Sequence, residues 1–168
     1  EMITDRFSNI GSQPILKYED VRPTLEGILD YLRKRISTKV TFTLEAPEVM
    51  YAVFNKPLFE WVLENVIKNG VDAMNGNGSI TINAFPSIKG MAVIDIIDTG
   101  KGIKKEQFKK VFEPGFTTKK RGWGLGLTLV KRIVNDYHKG KIFVRHSEIG
   151  KGTTFRILLP MSKKDATA

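Results

Sequence analysis

The 168-residue sequence contains no cysteine. That excludes disulfides, thiol catalysis and cysteine-ligated metal, and fits a reducing cytoplasm. No apolar run approaches the roughly 18 residues of a membrane span, and the first residues lack the charged-then-apolar pattern of a signal peptide. No G-K-[ST] tripeptide occurs, which excludes a P-loop, and the glycines at Gly122, Gly124 and Gly126 fall too early for G-x-G-x-x-G. Acidic residues are scarce: 18 Asp and Glu face 27 Lys and Arg, a net charge of +9. What remains is 41% hydrophobic, enough for one globular domain with a real core. Opening on Glu1, the chain reads as a piece of something longer.

The basic surplus is concentrated. Between Lys101 and Arg121 there are eight Lys or Arg and two Glu. This stretch lies inside Asp98–Leu127, D-T-G-K-G-I-K-K-E-Q-F-K-K-V-F-E-P-G-F-T-T-K-K-R-G-W-G-L-G-L, which opens with a carboxylate and carries glycines at both ends. Met91 to Ile97 is nearly unbroken apolar sequence around Asp95 and predicts a buried strand that stops at Asp98. A carboxylate there is partly desolvated and can only accept, so it demands donors. Gly100 and Gly102 allow backbone to approach a flat group without a Cβ between them. Gly122, Gly124 and Gly126 lead into a helical pattern from Leu127 to Val134, a helix start whose N–H groups suit an anion. A donor-seeking carboxylate at one end and a phosphate-ready helix start at the other suggest an adenine nucleotide lying between them. The Lys- and Thr-rich middle is then a lid, expected to be mobile when empty.

The rest of the chain supplies scaffold. Ile3, Phe7 and Ile10 read as the last turns of a helix broken by Gly11 to Pro14. Ile15 to Val21 predicts a short edge strand, with Asp20 as cap of a helix whose buried face is Val21, Leu25, Ile28 and Leu32, Pro23 sitting in its first turn. Val40, Phe42 and Leu44 alternate as a half-buried strand, with Met50 to Phe54 as its expected hairpin partner. Asn55 caps a helix over Lys56 to Asn75. Strands follow around Ile80 to Ala84, Met91 to Ile97, Lys141 to Arg145 and Thr153 to Leu159. Hairpins outnumber crossovers. The expected class is therefore α+β: a two-layer sandwich of one mixed, mainly antiparallel sheet, covered on one face by three helices.

One helix breaks a local rule. Asn65 and Asn69 sit one turn apart in a segment rich in Leu, Val, Ile and Trp, and Gly70 beside them costs about 1 kcal/mol relative to alanine. Two amides at i and i+4 share a face and can converge on one metal ion with its phosphates. Oxygen ligands with few protein donors suit Mg²⁺.

These segments, in this order, resemble a known family. E64-N-V-I-K-N-G-V-D-A-M74 is similar to the N box and D98-T-G-K-G-I103 to the first glycine box. V111-F-E-P-G-F-T-T-K119 is similar to the F box, G122-W-G-L-G-L127 to the second glycine box, and G150-K-G-T-T-F155 to the last Gly-Thr element. Together they resemble the catalytic ATP-binding domain of two-component sensor histidine kinases, in the superfamily shared with gyrase, mismatch-repair and heat-shock ATPases.

The resemblance implies roles. Asn69 would be the magnesium ligand, Asn65 its supporting neighbour, and Glu64 a group polarising water; Glu64 and Asn65 are the expected catalytic positions. Asp72 stands where many members have Lys or Arg, so although it belongs to the ATP-binding set, phosphate binding passes to lid cations. Asp98 would accept the adenine amine, where guanine would present a carbonyl and set two acceptors face to face. Thr153, favoured over Thr154, would hold a water in that network. Gly100 and Gly102 would let the base lie close, with Ile103 packed on it. Phe112 and Phe116 would anchor the lid. Thr117, Thr118, Lys119, Lys120 and Arg121 would face the β- and γ-phosphates, and Gly122, Gly124, Leu125, Gly126 and Leu127 would bring backbone N–H groups to them.

The expected organisation is residues 1–19 as the end of a dimerisation helix and linker, 20–162 as the catalytic ATP-binding domain, and 163–168 as a polar tail. Neither His138, expected to be structural, nor His146 matches the phosphoacceptor pattern, so the acceptor histidine lies outside this chain. The implied partners are ATP or ADP with Mg²⁺, the protein's own dimerisation and phosphoacceptor domain, and a response regulator. This fragment is expected to be a monomer from a homodimeric protein, cytoplasmic whether or not the full chain carries a membrane anchor. Two other readings share features: an ATP-gated clamp of the gyrase or chaperone kind, which normally has a carboxylate where Asn65 stands, and a nucleic-acid binder suggested by the charge. Phosphates of ATP explain that charge without nucleic acid.

Overall fold

Strict alternation of apolar residues in the central strands gives each one a face that must be covered, and three helices cover it. The computed structural model describes residues 13–116 and 126–167. The expected helix end before residue 13 lies outside these residues, as do Thr117, Thr118, Lys119, Lys120, Arg121, Gly122, Gly124 and Leu125 of the expected lid. Among the described residues the order is β1 (Lys17–Asp20), α1 (Arg22–Arg33), β2 (Val40–Glu45), β3 (Tyr51–Phe54), α2 (Lys56–Ala73), β4 (Gly78–Pro86), β5 (Met91–Asp98), α3 (Gly126–Lys131), β6 (Lys141–Glu148) and β7 (Gly152–Pro160). Short 3₁₀ turns at Lys105–Gln107 and Lys110–Phe112 bridge β5 to α3, and α3 runs into a π-helical turn, Arg132–Tyr137.

The main sheet has the order β2-β4-β5-β7-β6. Only β2 against β4 is parallel; the other pairs are antiparallel. Ile80, Ile82, Ile94, Ile96, Phe155 and Ile157 point from it into the helical layer and are fully buried, each contributing roughly 1.5–3 kcal/mol by leaving water. This is the expected α+β sandwich. On the opposite face Asp95 is buried and paired in two-pronged fashion with Arg156, Nε to Oδ1 and Nη2 to Oδ2 both at 2.8 Å. That ion pair explains how a carboxylate sits inside an otherwise apolar strand.

One expected pairing is corrected. Met50 to Phe54 is not the hairpin partner of β2: β3 pairs antiparallel with β1 in a separate two-stranded sheet, Lys17 opposite Phe54 and Asp20 opposite Tyr51. The connection from β2 is held by the start of α1. Arg22 Nη1 donates to the carbonyls of Ala46 and Pro47, Val21 N–H donates to Met50 O, and Met50 N–H donates to Asp20 Oδ1. These bonds lead the chain out of the sheet, and β2 takes β4 as neighbour. Asp20 also accepts the Arg22 N–H at 3.2 Å, although the N-cap position itself is Val21.

α2 is the central helix. Asn55 caps it, its Oδ1 accepting the Leu58 N–H at 3.1 Å, and Pro57 sits in the first turn. Leu58, Phe59, Trp61, Val62, Leu63, Val66 and Ile67 are buried. The helix ends at Ala73, and Asn75 takes the left-handed conformation that turns the chain into β4.

Candidate active site

Asp98 ends β5 and Thr153 stands opposite it near the start of β7. Both side chains are buried. Asp98 Oδ1 accepts the N–H of Gly100 at 2.8 Å and that of Thr153 at 3.3 Å. Oδ2 takes no hydrogen bond among the described residues. Burial pushes the Asp98 carboxyl above its ordinary range, and the two N–H groups oppose that only in part. A carboxylate with one oxygen committed and one presented is suited to a donor arriving from outside.

The helix that carries the asparagines lies against this carboxylate because of Gly70. A Cβ there would come within 3.0 Å of Asp98 Cβ and Ile80 Cδ1, and within 3.2 Å of Asp98 Oδ2. The cost of glycine in mid-helix is thus offset by close packing on the strand end. Gly70→Ala sets these effects against each other. The gain in helix propensity, about 1 kcal/mol, opposes the displacement of α2, so the net change in unfolding free energy is expected to be smaller than that amount. The displaced carboxylate is expected to bind ADP several-fold more weakly. Unchanged calorimetric affinity would show that the tight contact does not set the pocket.

The loop after Asp98 is fastened on two sides. Lys101 N–H donates to Ala73 O at the end of α2, and Gly150 N–H donates to Lys101 O from the β6–β7 turn. Gly102 has φ +81°, and a Cβ on it would lie 2.3 Å from Glu148 O. Its glycine is therefore required by the neighbouring hairpin, a reason independent of any ligand. Ile103 N–H donates to Ser147 Oγ at 2.7 Å, and Ser147 Oγ also lies 3.0 Å from Gly152 O and 2.8 Å from Thr153 Oγ1. Ser147 is the group that sequence reasoning missed. A serine just before a turn carries no signal that it joins three segments, its own strand, the loop after Asp98 and the start of β7.

On the outer side of α2, Asn65 and Asn69 are half-buried one turn apart. Asn65 Nδ2 donates to Trp61 O at 2.8 Å, which directs its Oδ1 outward, 3.8 Å from where a Cβ on Gly126 would stand. The N box and the start of α3 are thus adjacent. The Asn69 amide makes no hydrogen bond among the described residues. Glu64 is half-buried and pairs with Lys68 at 3.2 Å, while Asp72 is exposed.

Phe112 is core: it packs edge-on against Phe155 at 6.0 Å between centroids, and its carbonyl accepts the Thr128 hydroxyl at 2.9 Å. Phe116 and Leu127 pack on the core from its margin. The F box is thereby tied to α3 on the far side of the expected lid. Of the sequence-derived set, Asp98, Gly100, Gly102, Ile103 and Thr153 come together at one end of the sheet, and Asn65 and Gly126 meet beside them.

A buried carboxylate at a strand end, an asparagine-bearing helix packed on it and a glycine-led helix start define a nucleotide-binding ATPase domain of the two-layer sandwich type. The sequence profile described as histidine kinase-, DNA gyrase B-, and HSP90-like ATPase matches residues 55–163, and the chain belongs to that family. Within it, the chain is an ATP-binding catalytic domain of the sensor histidine kinase type. It is 30% identical over 165 residues to sporulation kinase E of Bacillus subtilis (strain 168), covering 96% of this chain and 22% of the relative. It is 42% identical over 100 residues to the sensor histidine kinase ZraS of Salmonella typhi, covering 60% of this chain and 21% of the relative. Its fold matches the nucleotide-free catalytic domain of the histidine kinase ThkA with a TM-score of 0.78 at 24% identity, covering 89% of this chain and 98% of that one. The chain thus spans about a fifth of the length of these curated relatives. No helix among the described residues is long and apolar enough to cross a membrane.

Proposed function

We propose that this chain binds ATP with Mg²⁺, adenine against Asp98 and phosphates beside Asn65, Asn69 and the start of α3. In the full protein it would deliver the γ-phosphoryl group to a histidine on dimerisation helices outside this chain, from which a response regulator takes it. The observation that carries the reading is the carboxylate of Asp98: buried, one oxygen satisfied by two N–H groups, the other without a hydrogen bond among the described residues. The exocyclic amine of adenine is such a donor, and the carbonyl of guanine is not.

The asparagine pair fits a magnesium site. Asn65 turns an oxygen outward and Asn69 has its amide free of partners among the described residues, giving few, neutral oxygen ligands of the kind a largely hydrated Mg²⁺ uses. Bound there, the ion would neutralise charge on the β- and γ-phosphates. Asn69 would be its ligand, Asn65 would support it, and Glu64 would orient water. The lid residues Thr117 to Arg121, with Gly122, Gly124 and Leu125, would close over the phosphates. We further propose residues 1–19 as helix end and linker, 20–162 as catalytic domain and 163–168 as tail, in a cytoplasmic domain that is monomeric alone and part of a homodimer in the full protein.

The test is calorimetric titration of the chain with ADP, ATP and GTP, in Mg²⁺ and in EDTA. Adenine nucleotides are expected to bind and GTP is not. Chelation and Asn69→Ala are each expected to weaken ATP about tenfold or more, through the same lost site. Equal binding of GTP, or none by ADP, would overturn the assignment. Turnover of ATP by the isolated chain is expected to be very slow, because the acceptor is not positioned, and to appear as phosphohistidine once the dimerisation helices are supplied.

A further inference from the structure

We propose that Ser147 determines base specificity by fixing the direction of the Thr153 hydroxyl, so that the adenine end of the pocket can only accept hydrogen bonds. This deepens the adenine reading above and rests on it. Ser147 Oγ has three neighbours: Ile103 N–H at 2.7 Å, Gly152 O at 3.0 Å and Thr153 Oγ1 at 2.8 Å. An amide N–H can only donate, so Ile103 occupies one lone pair of the serine. A carbonyl can only accept, so the single hydroxyl hydrogen of Ser147 goes to Gly152. What remains for Thr153 is the second lone pair of Ser147, and the Thr153 hydroxyl must therefore spend its hydrogen there.

The consequence falls on the pocket. Thr153 Oγ1 keeps only lone pairs, and so does Asp98 Oδ2, since Oδ1 is occupied by Gly100 and Thr153 N–H. Asp98 and Thr153 stand opposite each other in the β5–β7 register, on the sheet face that meets α2. A purine with an amino group at its 6-position supplies two N–H donors to this acceptor-only edge. A 6-oxo purine supplies a carbonyl at that position, and its one donor on this edge is the neighbouring N1–H. Asp98 alone repels that carbonyl; the oriented threonine adds a second acceptor that refuses it at the 6-position. Ser147 is a positioning residue, acting through Thr153 and touching no base.

The experiment compares the affinities of ADP and IDP, which differ in the 6-substituent and in the hydrogen that IDP carries at N1, by calorimetry on the chain. In Ser147→Ala the Thr153 hydroxyl is released and can turn its hydrogen toward a 6-oxo group, so the preference for ADP over IDP is expected to fall about tenfold, the effect of one hydrogen bond gained in place of one refused. Loss of the Ile103 anchor weakens both nucleotides alike, so the ratio is the readout. Adding Thr153→Val removes that hydroxyl, and the ADP preference is expected to return. If Ser147→Ala does not fold, as judged by circular dichroism, Ser147→Cys keeps the volume with a much weaker hydrogen-bonding group, and the same fall in ratio is expected. An unchanged ratio in a folded variant, with both nucleotides weakened equally, overturns the proposal and leaves the adenine pocket standing. Failure of the unaltered chain to bind ADP overturns the pocket, and this proposal with it.

Discussion

Asp98→Asn is expected to weaken ADP binding about a hundredfold. A hydrogen bond to an ionised group contributes roughly 1.5–3 kcal/mol, which alone is a factor of about ten to a hundred. Geometry makes the substitution worse than a lost charge. The amide oxygen of the asparagine is held at the Oδ1 position, because the N–H groups of Gly100 and Thr153 both require an acceptor there. Its NH₂ must then occupy the Oδ2 position, donor facing the donor of adenine. Calorimetry with ADP measures this directly, and affinity within threefold of the unaltered chain would remove Asp98 from the site.

The same variant has an expected stability signature of opposite sense. Burial raises the Asp98 carboxyl above its ordinary value of 3.8, so the folded state holds the proton more tightly than the unfolded state does. The stability linked to that proton is complete below the unfolded value and is lost as pH rises through the folded one. At neutral pH the buried charge is a standing cost. Asp98→Asn removes it, and the variant is expected to melt no lower than the unaltered chain at pH 7. Its advantage should disappear as the pH approaches 4. A site that binds poorly yet folds at least as well is what separates a functional carboxylate from a structural one.

Much of this arrangement was legible in the sequence, for identifiable reasons. Alternating Ile80, Ile82 and Ala84 and the apolar run into Asp98 wrote the inner strands, since a one-residue slip would turn every side chain to the wrong face. The mid-helix glycine at Gly70 announced an outside requirement, and the structure supplies it as contact with Asp98. The β2–β3 hairpin failed because its alternative depends on Arg22 and Asp20, polar groups some twenty-five residues away whose bonds to Ala46, Pro47 and Met50 no periodicity records. Ser147 was illegible for a similar reason. Its role exists only once the loop after Asp98 and the β6–β7 turn are brought together. The helical spacing from Leu127 to Val134 carries no mark of the π-helical turn at Arg132–Tyr137, whose end His138 fastens to Ile133 O.

That histidine is expected to hold about 3 kcal/mol of the stability of the domain. His138 is 1% exposed. Its backbone N–H and its Nδ1–H both donate to Ile133 O, at 3.0 and 2.9 Å, which closes the wide π-helical turn on one carbonyl. Nε2 accepts the Asn55 N–H at 3.1 Å. Asn55 in turn caps α2 through Leu58 and donates from Nδ2 to Ile15 O at 3.0 Å. The ring is thus neutral, and it joins the end of the α3 segment to the start of α2 and to the chain entering the domain. With both nitrogens engaged and no exposure it cannot serve as a phosphoryl acceptor. Replacement by alanine removes a buried ring and strands the Asn55 N–H, and for a domain of this size the expected loss lowers the melting temperature by roughly 6–12 °C. The pH dependence tests the account beyond simple loss of packing. Burial lowers the His138 pKa against the raising effect of its Nδ1–H bond to Ile133 O, so the unfolded state binds the proton more readily. The contribution is therefore fully present above the unfolded value of about 6.5 and is lost as pH falls toward the folded one. Urea midpoints measured from pH 8 down to pH 5 should fall for the unaltered chain more steeply than for His138→Ala. Parallel curves would mean that burial and the Asn55 N–H do not hold the ring neutral.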